Sequence, residues 1–216
     1  MIEPWPSVGH VYSAVAAEAG YPGISSEKLN EAFARAWKTK ESFDYSRSAW
    51  FALVEEVFAT GARPKGLSPK LFDSLYQRFT QGAVWHVYDD VRPTLQTLRE
   101  RGYKLAVISN WDDRLKPLLA DLQLSDYFET IVLSIDVGAT KPSPKIFEQT
   151  LKLLNVSASE LFHVGDSLEE DLVGPQQCGI AALLLDRQRK ASGSLPLLTD
   201  LLSLLPCAGI GGSDAG

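Results

Sequence analysis

Leu161–Asp171 reads LFHVGDSLEED, and its pattern decides the fold class. Leu161, Phe162 and Val164 form a short apolar run that stops at Gly165. Asp166 then occupies a turn, and Asp171 follows about one helical turn later. This is a strand that ends in an acidic turn and passes into the next element. In an open α/β sheet, ligands collect beyond the carboxyl ends of the strands, so Asp166 and Asp171 are expected together at the mouth of such a sheet. Two neighbouring carboxylates repel unless a cation lies between them, and hard oxygen ligands suit Mg²⁺. An acidic or hydroxyl residue after a strand is also, taken alone, an ordinary helix N-cap.

Outward from this stretch, strands alternate with helices. A helix from about Asp90 to Arg101, with Val91, Leu95 and Leu98 on one face, ends at Gly102 and feeds a strand Lys104 to Ile108. Leu115, Leu118, Leu119 and Leu122 mark a second helix, followed by a strand Thr130 to Leu133. Phe147, Leu151 and Leu154 mark a third before Leu161, and a fourth ends near Gly179 ahead of a strand Ala181 to Leu185. A last leucine-rich helix is expected from about Leu195 to Leu205, and the Gly-rich tail 207–216 is expected to be disordered. Alternation at this spacing implies right-handed βαβ crossovers in a parallel sheet, and near-continuously apolar strands agree with coverage of both its faces.

Before residue 86 the periodicity is helical throughout. Leu29, Phe33 and Trp37 fall four apart; Trp50, Leu53, Val54, Val57 and Phe58 follow the i, i+3, i+4, i+7, i+8 pattern; Leu71, Leu75 and Phe79 repeat it. Ser25 or Ser26 with Glu27, and Ser68 with Pro69, signal helix starts, while Gly61 and Gly82 signal stops. The aromatic stripes, Trp37 and Trp50 included, are expected in the core of this bundle. The organisation is therefore a helical domain over 1–86 and a Rossmann-like α/β domain over 87–206.

Composition limits the partners. The formal charge of −6 leaves no basic face for nucleic acid or anionic lipid. No apolar run approaches the roughly 20 residues of a membrane span. Cys178 and Cys207 form no metal spacing and suit a reducing compartment, so a cytoplasmic protein is expected. His10, His86 and His163 are too scattered to suggest zinc, and nothing in the sequence specifies an oligomeric state.

Two further sites join the acidic turn. The strand at LAVISN ends in Ser109 and Asn110, whose hydroxyl and backbone donors suit a phosphate oxygen but equally suit a helix cap. In ATKPSPK, Pro142 and Pro144 stiffen the chain around Lys141, whose ammonium can neutralise a phosphoryl group or simply sit in an exposed basic turn. Trp111 suits either a substrate pocket or the core.

In this order and spacing, Ser109-Asn110, Lys141-Pro142 and Gly165-Asp166 with Asp171 resemble the haloacid dehalogenase-like (HAD) hydrolase superfamily, in particular members with a helical cap after the first strand. The resemblance covers most of the chain. It implies a Rossmann-like core with an N-terminal helical cap that closes over the site and selects substrates. It implies Ser109 as the phosphate-binding hydroxyl, with Asn110 beside it, and Lys141 as the phosphoryl-clamping lysine. Asp166 and Asp171 are implied as ligands of Mg²⁺, and a small phosphorylated metabolite as the substrate.

One family feature is missing. Relatives carry an apolar strand followed by Asp-x-Asp, whose first aspartate attacks phosphorus and whose second is the general acid and base. No Asp-x-Asp occurs in this sequence, and the first aspartate is Asp44. The expectation is an N-terminally truncated form of a phosphatase, inactive as written because no aspartyl-phosphate can form. In the family that strand lies centrally, between the strands that here end at Ser109 and Gly165, so two rows of unpaired backbone groups are expected there. A non-catalytic protein that keeps the pocket is the alternative; a phosphomutase shares the same residues. Dehalogenation is disfavoured, since it needs no divalent cation. The string Gly165–Leu168, GDSL, also occurs around an esterase serine, but no histidine follows His163 to serve as its base.

Overall fold

The computed structural model describes residues 1–40, 43–61, 67–188 and 197–207. In chain order the elements are β1 (Ile2–Pro4), α1 (Val8–Glu18), α2 (Ser26–Lys38), α3 (Arg47–Gly61), α4 (Pro69–Arg78), β2 (Trp85–Val87), α5 (Val91–Glu100), β3 (Ala106–Ser109) and α6 (Leu115–Asp121). There follow β4 (Thr130–Leu133), α7 (Ser134–Val137), α8 (Pro144–Leu154), β5 (Phe162–Gly165), a π-helical turn Leu168–Val173, α9 (Gly174–Gln177), β6 (Ala181–Leu185), β7 (Leu197–Leu198) and α10 (Leu204–Cys207). They group into two compact units, Met1–Tyr88 with Trp111–Gln123, and Asp89–Asn110 with Leu124–Gly216.

The first unit is helical because its starts are capped and its faces are apolar. Ser25 accepts from Lys28 N at 3.2 Å, and Ser68 accepts from Leu71 N at 3.1 Å with Pro69 at the first helical position. Glu27 in the first turn and Arg35 and Lys38 in the last oppose the α2 dipole. Leu29, Leu53, Val57, Phe58, Leu71 and Leu75 interlock with Tyr12 and Val15 as one buried core. Trp50 packs against this core as expected, whereas Trp37 is corrected: it stacks on Phe33 and Trp50 but is exposed, outside the buried cluster.

Two features of this unit had no clear signal in the pattern. β1 and β2 pair antiparallel, Ile2 opposite Val87 and Pro4 opposite Trp85, joining the segments before α1 and after α4. Three-residue strands are too short to show alternation. The segment Trp111–Gln123, which the strand-helix alternation assigns to the α/β domain, groups with the helices. Arg114 explains this. Its guanidinium donates to both oxygens of Asp112 at 2.8 and 2.7 Å and lies 3.6 Å over the Tyr76 ring and 5.0 Å over Trp50, while Asp121 accepts from Gly82 N at 2.6 Å. Gly82, expected to end a helix, instead opens a 3₁₀ turn Gly82–Val84.

The second unit is α/β with parallel strands. β3 pairs with β4, Ser109 opposite Leu133, and β5 pairs with β6, Gly165 opposite Leu184, with β7 beyond. α8 places Ile146 and Phe147 in a cluster with Val132 and Ile180, against which Ile108, Leu151 and Leu161 pack. Among the described residues no ladder joins β3 to β5, so the parallel sheet is in two pieces. The helix expected at Leu195 to Leu205 is corrected. Leu197 and Leu198 form β7, and the chain then bends, with Asp200 accepting from Ser203 N at 2.8 Å before the short α10. Leucine favours helix, but pairing with β6 and the turn at Asp200 win locally. The tail beyond Cys207 lies outside the described residues.

Candidate functional site

The candidate site is built at the carboxyl ends of β3 and β5. β3 ends at Ser109, half-buried, and Asn110 leaves the strand. The Asn110 side chain reads both groups of one peptide unit, accepting from Lys141 N at 2.6 Å and donating to Lys141 O at 3.0 Å. The lysine backbone is thus pinned before its side chain is placed. Lys141 Nζ then donates to Asp171 Oδ1 at 2.5 Å. His163, on β5, donates from Nε2 to the same oxygen at 2.9 Å, and Ser167 N donates to Oδ2 at 3.0 Å.

Close approach makes this possible. A Cβ on Gly165 would lie 2.2 Å from Asp171 Cγ, and one on Gly174 would lie 2.8 Å from the Pro142 Cβ. Both glycines leave the room that the π-helical turn and the Lys141-Pro142 turn occupy. The side chains of Lys141, His163 and Asp171 are only 9%, 10% and 4% exposed. Burial pushes the Asp171 carboxyl up, but the His163 hydrogen bond and the Lys141 ammonium outweigh it and hold the group well below the usual carboxylate range. Glu170, half-buried next to this network, is pushed up by burial; the nearby Lys141 charge opposes this, while Asp171 and Asp166 add to it.

Asn110, Lys141 and Asp171 are therefore joined directly, while Asp166 stands exposed at the end of β5. His163 and Glu170 belong to the same network and were not singled out by motif. The signal for His163 was a polar residue between Phe162 and Val164 in an apolar strand.

Among the described residues, no three His, Cys, Asp or Glu side chains are grouped to hold a metal ion. Mg²⁺, however, commonly keeps several waters and takes one or two carboxylates with substrate oxygens. The exposed Asp166 carboxylate suits that role. Asp171 suits it less well, because both of its oxygens already accept from the protein.

A family model described as haloacid dehalogenase-like hydrolase matches residues 5–185. The chain belongs to this family. Among HAD-like hydrolases it is 34% identical over 192 residues to haloacid dehalogenase-like hydrolase domain-containing protein 3 of Danio rerio, covering 84% of this chain and 79% of that one. It is 35% identical over 130 residues to a glyceraldehyde 3-phosphate phosphatase of Methanopyrus kandleri, covering 59% of this chain and 54% of that one. The crystal structure of a HAD phosphatase from Thermococcus onnurineus superposes with a TM-score of 0.69 at 26% identity, covering 94% and 88% of the two chains. The α/β architecture of this HAD-like hydrolase is thus the one its relatives share.

Proposed function

We propose that this HAD-like hydrolase binds the phosphoryl group of a small phosphorylated metabolite, in the manner of the Mg²⁺-dependent phosphatases. The observation that carries this reading is the chain from Asn110 through Lys141 to Asp171, which fixes a buried ammonium at the carboxyl ends of β3 and β5. Similarity to phosphatases supports it. Ser109 and the adjoining peptide N–H groups donate to phosphoryl oxygens, and Lys141 supplies the positive charge. Asp171, itself held by His163 and Ser167 N, keeps Lys141 in place. Asp166 is the carboxylate that would hold Mg²⁺, with Asp171 acting through Lys141. Bound Mg²⁺ supplies charge that offsets the phosphoryl oxygens.

In the phosphatase reaction an aspartate attacks phosphorus, and this sequence holds no Asp-x-Asp to supply it. The second reading is a protein that keeps this pocket and binds a phosphoryl ligand without turning it over. The net charge of −6 supports the further proposal that nucleic acid and anionic membranes are not partners, and the free Cys178 suits the cytoplasm.

The test is titration of inorganic phosphate into the full chain with and without Mg²⁺, together with turnover of a panel of small phosphate esters. Binding is expected, strengthened by Mg²⁺ and weakened about ten- to hundredfold in Lys141→Ala, as for loss of a charge-assisted hydrogen bond. Turnover that Asp166→Ala abolishes would exclude the binding-only reading. No phosphate binding under either condition would overturn both.

A further inference from the structure

The parallel strands of the second unit end on β4 at one side. Its inner edge pairs with β3, and among the described residues nothing pairs with its outer edge. Edge strands of soluble proteins are commonly blunted by shortness, charge, proline or a bulge. At the other side the strands finish on β7, which is only two residues long. β4 has none of these devices. Thr130–Leu133 reads TIVL, without charge, proline or glycine, and its register with β3 is unbroken.

Beside this edge lies a groove of about 270 Å³, walled by Ile131 and Val132 of β4, Asp136 and Val137 of α7, and Lys145, Gln149 and Leu153 of α8. The α8 residues fall at i, i+4 and i+8, one stripe of the helix turned to the strand edge, and the exposed Lys152 at i+7 belongs to the same stripe. The direction of α8 is fixed at both ends. Lys104 Nζ, before β3, donates to Leu154 O at 3.5 Å, while Asn110, after β3, holds the Lys141 peptide just ahead of the helix. α8 therefore runs antiparallel to β4. Lys145 stands at the carboxyl end of the groove, and Lys152 and Leu153 stand at its amino end, where Leu153 is 53% exposed.

We propose that this edge is the interface for a second copy of the chain, β4 pairing antiparallel with β4 about a twofold axis. The surface is complementary to itself under that rotation, which sets the carboxyl end of one groove beside the amino end of the other. Lys145 then meets Glu129 of the second copy, which is exposed just before β4. Asp136 meets Lys152 of the second copy, and the exposed Leu153 is covered by Val137 of the second copy. Gln149, in the middle of the stripe, meets its own counterpart near the axis, where an amide can both donate and accept. Each charged and apolar contact is made twice. This inference rests on the β4 edge and stands independently of phosphoryl binding.

The experiment is sedimentation equilibrium of the full chain across a wide range of concentration, with amide exchange followed in parallel. A monomer–dimer equilibrium is expected, and exchange at residues 130–133 should slow about tenfold or more as the dimer fills. Lys145→Glu alone and Glu129→Lys alone each turn two attractions into two repulsions, and each should raise the dimer dissociation constant about tenfold or more. The two substitutions together restore opposite charges and should bring the constant back toward that of the parent. Both side chains are exposed, so dilute samples of all variants should keep the parent's circular dichroism. A chain that stays monomeric at every concentration, a dimer that leaves residues 130–133 unprotected, or a double variant no tighter than the single ones would overturn the proposal.

Discussion

Replacing Asp171 with Asn separates two roles for this carboxylate. With Lys141, His163 and Asp171 side chains at 9%, 10% and 4% exposed, the ion pair lies in the buried regime, where solvent screens little. Removing one partner leaves the Lys141 ammonium without its counter-charge, which costs about 3–5 kcal/mol. For a chain of this size each kcal/mol moves Tm by about 2–4 °C, so Asp171→Asn should melt about 6–20 °C lower. Removing both charges is different. Lys141→Met with Asp171→Leu leaves no unpaired ion, so the double variant should recover most of the loss, within about 2 kcal/mol of the parent. The assay is urea unfolding at pH 7 in the presence of a chelator. A carboxylate held chiefly for a metal would repel Asp166 and Glu170 in chelator, and its removal would stabilise the chain. A stabilised Asp171→Asn, a loss under about 0.5 kcal/mol, or additive losses in the double variant would refute the positioning role.

Three other outcomes follow from the same structure. Gly165→Ala places a methyl 2.2 Å from Asp171 Cγ and should cost about 1–3 kcal/mol or more in thermal melts, since the obstruction is a buried, doubly anchored carboxylate. Asp90 accepts two bonds from Arg187 at 2.9 Å and one from Leu201 N at 2.7 Å. Burial pushes its carboxyl up, but those donors bring it below the ordinary value of about 3.9. Its folded value being the lower one, Asp90 adds stability above about pH 4 and loses it as the pH falls through that lowered value. The stability difference from Asp90→Asn, followed by urea unfolding across pH, should be flat above about pH 5 and shrink on acidification. Ser68→Ala removes the acceptor for Leu71 N and should cost about 0.5–2 kcal/mol in the same assay.

The strands that match their expected bounds, Thr130–Leu133 and Ala181–Leu185, are continuous apolar runs flanked by helical periodicity, where local pattern and burial agree. Ser25 and Ser68 were legible as caps for the same reason, a polar side chain just before an amphipathic stripe. What stayed hidden depends on partners remote in sequence. β7 exists because Leu197 and Leu198 find β6, and the three-residue β1 and β2 exist because they find each other. At the candidate site, the residue types at Asn110, Lys141 and Asp171 were readable, but their connection was not. Asn110 and Lys141 are 31 residues apart, and only the folded turn shows that the amide grips the lysine backbone. His163 was masked by its strand, since a buried polar residue declares its purpose only when its partner is seen.

The β1–β2 ladder has a consequence for how the helices can vary. With Ile2 opposite Val87 and Pro4 opposite Trp85, the polypeptide runs into α1 and out of α4 at one point, side by side. Everything between is a closed excursion whose two ends are stapled together by backbone hydrogen bonds that do not depend on side-chain identity. Such an excursion can be lengthened, shortened or exchanged for another of different shape while its anchorage stays the same. A change in length between Pro4 and Trp85 therefore leaves the point where the chain enters and leaves these helices in place.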